Sequence, residues 1–332
     1  MVSSACHHVK LKTLTSFNCQ ALPLTRILAV MARARLVLAI GVICVSFAAL
    51  FIRLADAPPL VIAAYRLSLA SLAILPIGVT HSLRQKRRLI GSDLPLMLLA
   101  GACLALHFGL WITSLKYTSV ATSVVLVTSS PILLAVASRF LFKQRLSKIA
   151  VIGILVSLAG GVLISYGNWQ LGSRPLEGAL LALGGAIAVC GYLLVGQKLR
   201  QNASVISYVT VVYTSAAVLL LLSALAFGYS AVGYSGKTYL MLVLLAVVPQ
   251  LIGHSSLNWS LRFVPATLVA VAVLGEPVGA TLWAFIFLKE SPTTLELIGG
   301  ALILGGIFLA LGMRSKTGVV PASEPAGSEA RR

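Results

Sequence analysis

A chain of 332 residues that is 58% hydrophobic and only 10% charged, with a mean hydropathy of +0.98, has too little polar surface to face water as a soluble domain. Its 26 Lys and Arg against 8 Asp and Glu give a net charge of +18, but the basic residues fall in the tails and in alternate short connections, a pattern of membrane orientation and not of nucleic-acid binding. Cys6, Cys19, Cys44, Cys103 and Cys190 form no CxxC pair, which leaves no basis for a disulfide framework or redox motif; the last three fall in apolar runs and are expected as buried thiols.

In chain order, residues 1–35 form a basic segment. Its longest apolar run is too broken for a signal peptide, His7 and His8 read as a solvated tail, and Met31 followed by Ala-Arg-Ala-Arg is as good a start as Met1. Apolar runs follow at roughly 36–53, 59–80, 94–114, 119–141, 149–167, 176–196, 205–227, 238–259, 265–288 and 295–313, predicting ten transmembrane helices. With the N-terminus in the cytoplasm, 19 of the 26 Lys and Arg fall on that side, so the N- and C-termini are both expected to be cytoplasmic. Residues 314–332, rich in Pro, Ala, Ser and Glu, are expected as a disordered cytoplasmic tail.

An internal repeat organises the spans. A shift of 146 residues places Ser114 on Ser260, Val125 on Val271, Pro131 on Pro277, Lys143 on Lys289, Gly153 on Gly299 and Gly160 on Gly306, without a gap. Each half, 36–167 and 176–313, carries five spans; because five is odd, the halves must cross the bilayer in opposite directions. The fold expected is an all-α membrane protein of two inverted five-helix repeats, an arrangement common in secondary transporters.

The segment Leu115-Lys116-Tyr117-Thr118-Ser119 with Pro131, echoed by Leu261 to Ala266 with Pro277, and the glycines of the 153/160 and 299/306 pairs resemble the EamA-type transporters of the drug/metabolite transporter superfamily. The resemblance covers about 36–312. A family subset looks closest through Pro249 to Trp259 and Gly275-Glu276-Pro277-Val278. It implies a ten-helix permease or exporter of small organic solutes, often amino acids or related metabolites, in the bacterial inner (plasma) membrane. One departure is Gln144, where the family usually carries a Glu; its counterpart in the second half, Glu290, keeps it.

Glu276 is the leading site candidate, since it lies about ten residues from either end of its span, near the middle of a hydrocarbon core. Desolvation favours a neutral carboxyl, which would let it exchange a proton near physiological pH. Two other roles stay open: counter-charge to a cationic substrate, and structural acid bonded to carbonyls freed by Pro277. Arg66, beside Tyr65, can snorkel to the interface, bind a substrate carboxylate, or hold Glu276 ionised. Arg139 reads as a snorkelling anchor. His107 and Trp111 sit one turn apart, and Gln250, His254 and Asn258 recur at intervals of four, a polar stripe that either lines a wet path or ties helices together. Pro131 and Pro277 are expected helix kinks, and Gly160-Gly161, Gly184-Gly185, Gly299-Gly300 and Gly305-Gly306 are expected at close helix contacts.

No HExxH, P-loop or GxSxG is present, so an enzyme is not expected. The function expected is secondary active transport of a small organic metabolite by alternating access, coupled to protons through Glu276. No cofactor or metal is expected; the partners are a small-molecule solute and membrane lipid, with no nucleic acid and with a homo-oligomer left open. The rivals are a non-transporting scaffold, in which Glu276 sits in packed protein without a cavity, and a lipid-linked carrier with a sideways groove.

Overall fold

The computed structural model describes residues 24–84, 92–143, 146–167, 172–289 and 291–312. His7, His8, Cys6, Cys19, Gln144, Glu290 and the tail from 314 lie outside the described residues. Every regular element among the described residues is helical. Among the described residues, nine helices are long and apolar enough to cross a membrane: α1 Val30–Leu54, α2 Pro59–Arg84, α3 Leu94–Ser114, α4 Val120–Leu141, α5 Lys148–Tyr166, α6 Pro175–Leu199, α7 Val205–Ala226, α8 Gly236–Ser260 and α9 Ala266–Phe287. A tenth apolar helix, α10 Thr294–Ala310, is shorter. The first helix extends back to Leu24, well before residue 36, because no proline or glycine interrupts 24–35. Cys190 is buried, whereas Cys44 and Cys103 are half-buried.

Helix starts are written in short polar side chains. Ser119, Ser204 and Ser235 each accept a hydrogen bond from the backbone N–H three residues on, at 3.1, 3.0 and 3.2 Å. Thr293 and Glu296 form a reciprocal pair at the start of α10: the Thr293 N–H donates to Glu296 Oε2 at 2.8 Å, and the Glu296 N–H donates to Thr293 Oγ1 at 3.2 Å.

The repeat has a direct geometric signature. Helix α4 is broken at Thr128–Ser129, and α9 at Leu274–Gly275, the positions 146 residues on. In each, the proline stands in the first turn of the second segment, where its missing N–H costs nothing. Lys143 and Lys289, also 146 apart, share a left-handed backbone with φ of 54° and 60°. For Lys289 this is the left-handed residue that ends α9.

Helices α5 and α10 form an intimate pair. Gly153 lies against Gly306, Gly160 against Gly299, and Ser157 Oγ donates to the Ile303 carbonyl at 3.1 Å. Rising numbers on one helix meet falling numbers on the other, so the two equivalent helices run antiparallel. Small residues permit this approach, because between apolar helices in lipid it is close packing and hydrogen bonding that hold a contact. Not every glycine serves it: a Cβ on Gly305 would meet nothing, and one on Gly300 would only graze Val278. Elsewhere α2 packs on α7, and α3 on both α6 and α7, with α1 against α8.

The connections sort to two faces. The α3–α4 and α5–α6 links meet where the Arg174 N–H donates to the Tyr117 carbonyl at 3.0 Å, and the α1–α2 link meets the start of α8 through the Asp56 N–H and Thr238 Oγ1 at 3.2 Å. This is the first face; the α6–α7 and α8–α9 links lie together on the second.

A methyl at position 306 would collide with the Gly153 carbonyl and Ser157, whereas one at 305 would stand free. Gly306→Ala should therefore destabilise by about 1–3 kcal/mol, and Gly305→Ala should be neutral or slightly stabilising. Thermal unfolding of both variants in detergent checks this, and equal midpoints would contradict the packing described.

Candidate functional site

Seven helices, α1, α2, α3, α4, α6, α8 and α9, converge on a cavity of about 40 Å³ in the bundle centre. Its polar lining is Arg66 from α2, His107 from α3, Thr128 and Ser130 from the break in α4, Tyr192 from α6, His254 from α8 and Glu276 from the break in α9. Trp111, Val45, Val127, Leu193 and Val273 contribute apolar surface. The two helix breaks thus put their irregular turns at one place, as expected where unwound backbone borders a site inside a membrane protein.

Arg66 is fully buried at 0% exposure and does not reach the interface. Its Nε donates to Gln250 Oε1 at 2.8 Å, and the Phe108 ring lies under the guanidinium at 3.9 Å. Both Nη atoms lack a hydrogen-bond partner among the described residues. Glu276 is 7% exposed, and its carboxyl makes no hydrogen bond or ion pair among the described residues, so Arg66 and Glu276 share the cavity without being paired. His107 Nδ1 lies 3.0 Å from the Gly185 carbonyl; since a carbonyl can only accept, that nitrogen carries the proton. The His107 ring stacks on Trp111 at 6.0 Å, and Phe108 meets His254 edge-on at 5.3 Å. Trp111 Nε1 and His254 Nδ1 are also without hydrogen-bond partners among the described residues.

The stripe of Gln250, His254 and Asn258 faces the interior at successive depths. Residues Ala246–His254 of α8 form a wide π-helical segment that includes Pro249, in which residues four apart still lie on roughly one face. His254 lines the cavity, Gln250 serves Arg66, and Asn258 lies one layer further on. There Asn258 Oδ1 accepts from the Tyr192 hydroxyl at 2.7 Å, and its Nδ2 donates to the Tyr213 hydroxyl at 3.3 Å. Tyr65 is not part of the site: its hydroxyl donates to the Ala231 carbonyl at 2.7 Å, and its ring meets Tyr239 near the first face. Successive residues on a helix diverge by about 100°, so Arg66 and its neighbour cannot both face inward. Arg139 is exposed near the end of α4.

Three residues that sequence reasoning passed over complete the arrangement. Tyr192, a hydroxyl in an otherwise apolar span, joins cavity to seal. Tyr213 binds Asn258 and Ser255. Arg200, expected as an ordinary loop cation, is 2% exposed; its Nε donates to the Asn258 carbonyl at 3.0 Å and its Nη1 to the Ala203 carbonyl. Burial lowers the Arg200 guanidinium to about 10, which leaves it cationic at neutral pH. A run of basic residues beside a span does not reveal which one folds back.

The two faces differ. Towards the first face a vestibule of about 710 Å³ is bordered by Arg53, Lys116, Thr281 and Glu296. Its inner residues Ala49, Val124 and Pro277 lie within one helical turn, along the chain, of cavity residues Ala48, Val127 and Glu276. Towards the second face helices are cross-tied: the Ala266 N–H donates to Gln197 Oε1 at 2.7 Å, and Thr267 Oγ1 lies 3.5 Å from Ser138 Oγ.

With this geometry in place, the comparison with known proteins decides the family. The EamA-like transporter family matches twice, at residues 33–166 and 176–312. The chain belongs to this family. Among its relatives is the uncharacterized transporter YdfC of Bacillus subtilis (strain 168), 26% identical over 74% of this chain and 79% of that protein. An uncharacterized transporter of Archaeoglobus fulgidus is 26% identical over 80% of this chain and 91% of its own. A probable terminal-alkyne amino-acid exporter of Streptantibioticus cattleyicolor is 25% identical over 74% and 81%. A crystal structure superposes with a TM-score of 0.70 at 22% identity, covering 84% of this chain and 96% of that one, which shows a shared fold. The EamA chain is thus a multi-pass membrane protein of a transporter family, and its relatives are named transporters and exporters, not enzymes.

Gln250→Leu would take the one acceptor from a buried guanidinium. It should destabilise the protein by about 2 kcal/mol, the scale of a hydrogen bond to a charged group. Chemical unfolding in detergent measures this, and an unshifted midpoint would mean that Arg66 does not depend on Gln250.

Proposed function

We propose that this EamA protein is a secondary active transporter of a small organic metabolite, working by alternating access in the inner membrane of a bacterial cell, with protons coupled through Glu276. In this reading all ten helices span, α10 being at the short end of the spanning range, and the two halves are inverted repeats with both termini in the cytoplasm. The first face is then extracytoplasmic, and the conformation described is open to the outside.

One observation carries the reading. A buried acid faces a small cavity just beneath a vestibule open to one face, while side-chain hydrogen bonds close the other. A scaffold has no need of a cavity beside Glu276. At about 40 Å³ the cavity holds no more than a few water molecules, so a solute must enter through a wider state. The matched breaks in α4 and α9 supply hinges, since backbone released there has few helical hydrogen bonds to lose. The relative named as an amino-acid exporter supports a small organic cargo.

Glu276 is suited to carry the proton because it is the acid on the cavity wall and no hydrogen bond among the described residues fixes its charge state. The experiment is flux of a labelled metabolite panel in reconstituted vesicles under two pH gradients. Wild-type protein should move at least one solute at a rate that follows the gradient, and Glu276→Gln should lose that dependence, by about tenfold or more per imposed pH unit. Undiminished, gradient-dependent flux in the variant would remove Glu276 from the coupling step. A reporter fused to either terminus should be read in the cytoplasm; an outside reading overturns the orientation.

A further inference from the structure

The head of Arg66 is a buried cation whose orientation is fixed but whose outer donors are unused. Gln250 holds Nε, Phe108 lies against one face, and Nη1 and Nη2 have no hydrogen-bond partner among the described residues. An unpaired charge at full burial is among the costliest groups a protein can hold, so it is retained where something completes it. Two parallel N–H donors in one plane match the two oxygens of a carboxylate.

We propose that Arg66 Nη1 and Nη2 are the seat of a carboxylate group on the transported solute, and that this carboxylate is taken up together with one proton held by Glu276. The inference rests on the transport reading above and names the class of cargo. Charge decides for a single carboxylate over a dianion such as a phosphate monoester. Among the described residues the cavity wall carries one fixed cation, Arg66, and one acid, Glu276, with no second Lys or Arg. The remainder of the solute would meet Trp111, Val45, Leu193 and Val273, which fits an apolar body.

The proton follows from the same count. With the seat filled and Glu276 ionised, two carboxylates would share one guanidinium in a low-dielectric space. Protonating Glu276 restores balance, with one proton bound for each carboxylate. The other titratable or charged groups facing Glu276 are Arg66 on α2, His107 on α3, Tyr192 on α6 and His254 on α8. Cys44 of α1 does not line the cavity, and Arg53 of α1 and Glu296 of α10 border the vestibule instead.

The test uses the full-length protein in detergent and a panel of acids, each with its own primary amide: propionate, 4-methylpentanoate, phenylacetate and indole-3-acetate. Binding is followed by thermal stabilisation and calorimetry at pH 6 and pH 8. At least one acid should bind while its amide does not, and more tightly at pH 6. Arg66→Gln should weaken that acid about a hundredfold, as expected for two charge-assisted hydrogen bonds. Arg66→Lys, which keeps the charge and loses the fork, should weaken it about tenfold and stands as the test if the glutamine variant does not fold. Glu276→Gln should bind the acid equally at both pH values. The proposal is overturned by amides binding as well as acids, by no acid binding, by Arg66 variants with wild-type affinity, or by tighter binding at pH 8. Vesicles that carry amides but not acids would sink this inference and leave transport standing; an acid that binds at Arg66 without flux under any gradient would sink transport and leave the seat.

Discussion

The structure is arranged around one uncomfortable group, a guanidinium enclosed in apolar helices. Desolvating a cation of this kind costs several kcal/mol even after relaxation, and Arg66 recovers only part of that through Gln250 and the face of Phe108. Both partners come from other helices, Phe108 from α3 and Gln250 from α8. Gln250 reaches Arg66 from the wide segment of α8, so the guanidinium is held between helices that are distant in sequence. Glu276 sits across the cavity and not in contact, so the charge remains incompletely matched. A site of this kind has a use for a ligand that a fully paired one would lack.

The second constraint is the repeat. Two helices broken at equivalent residues, two lysines with the same left-handed backbone and an antiparallel pairing of α5 with α10 mean that each local device occurs twice. Yet the two faces are not alike, since one carries an open vestibule and the other a set of cross-ties. The asymmetry lies in the side chains: Asn258, which anchors Tyr192 and Tyr213, has Ile112 as its counterpart 146 residues earlier, and Thr267 has Ala121. The backbone is duplicated, and the polar side chains laid over it are not.

Much of this was legible in the sequence, for a physical reason. Hydrophobic length and basic loop bias are imposed by the bilayer on every spanning helix, so the apolar runs, the repeat and the paired proline breaks can be read directly. The convergence of Glu276, Arg66, His107, Trp111 and His254 was legible only as a set of costly residues, because lipid excludes polar side chains from nearly everywhere except a shared interior. What could not be read was direction. Tyr65 and Arg66 are neighbours with opposite fates, Arg200 looks like any loop cation, and nothing in the apolar spans marks that Tyr192 and Tyr213 turn inward to Asn258. Each of these depends on rotation about a helix axis, which is set by packing against other helices.

Beside the charged tie from Arg200 to the Asn258 carbonyl, four cross-ties of the second face are neutral hydrogen bonds: Tyr192 to Asn258, Asn258 to Tyr213, Ala266 to Gln197 and Thr267 to Ser138. Interhelical hydrogen bonds in membrane proteins average about 0.6 kcal/mol each, so four amount to roughly 2 kcal/mol. That is the size of bias that separates two conformers when the minor one is still populated at the per cent level, and a bound solute with modest preference can reverse it. A seal of buried ion pairs would be a poor substitute, because breaking one costs several kcal/mol and would hold the second face shut. The sealing layer also begins at the cavity itself, since Tyr192 borders it and donates to Asn258, whose carbonyl Arg200 holds. On the transport reading, a solute pressing on Tyr192 acts directly on the closed face, and the reach from site to seal is one side chain.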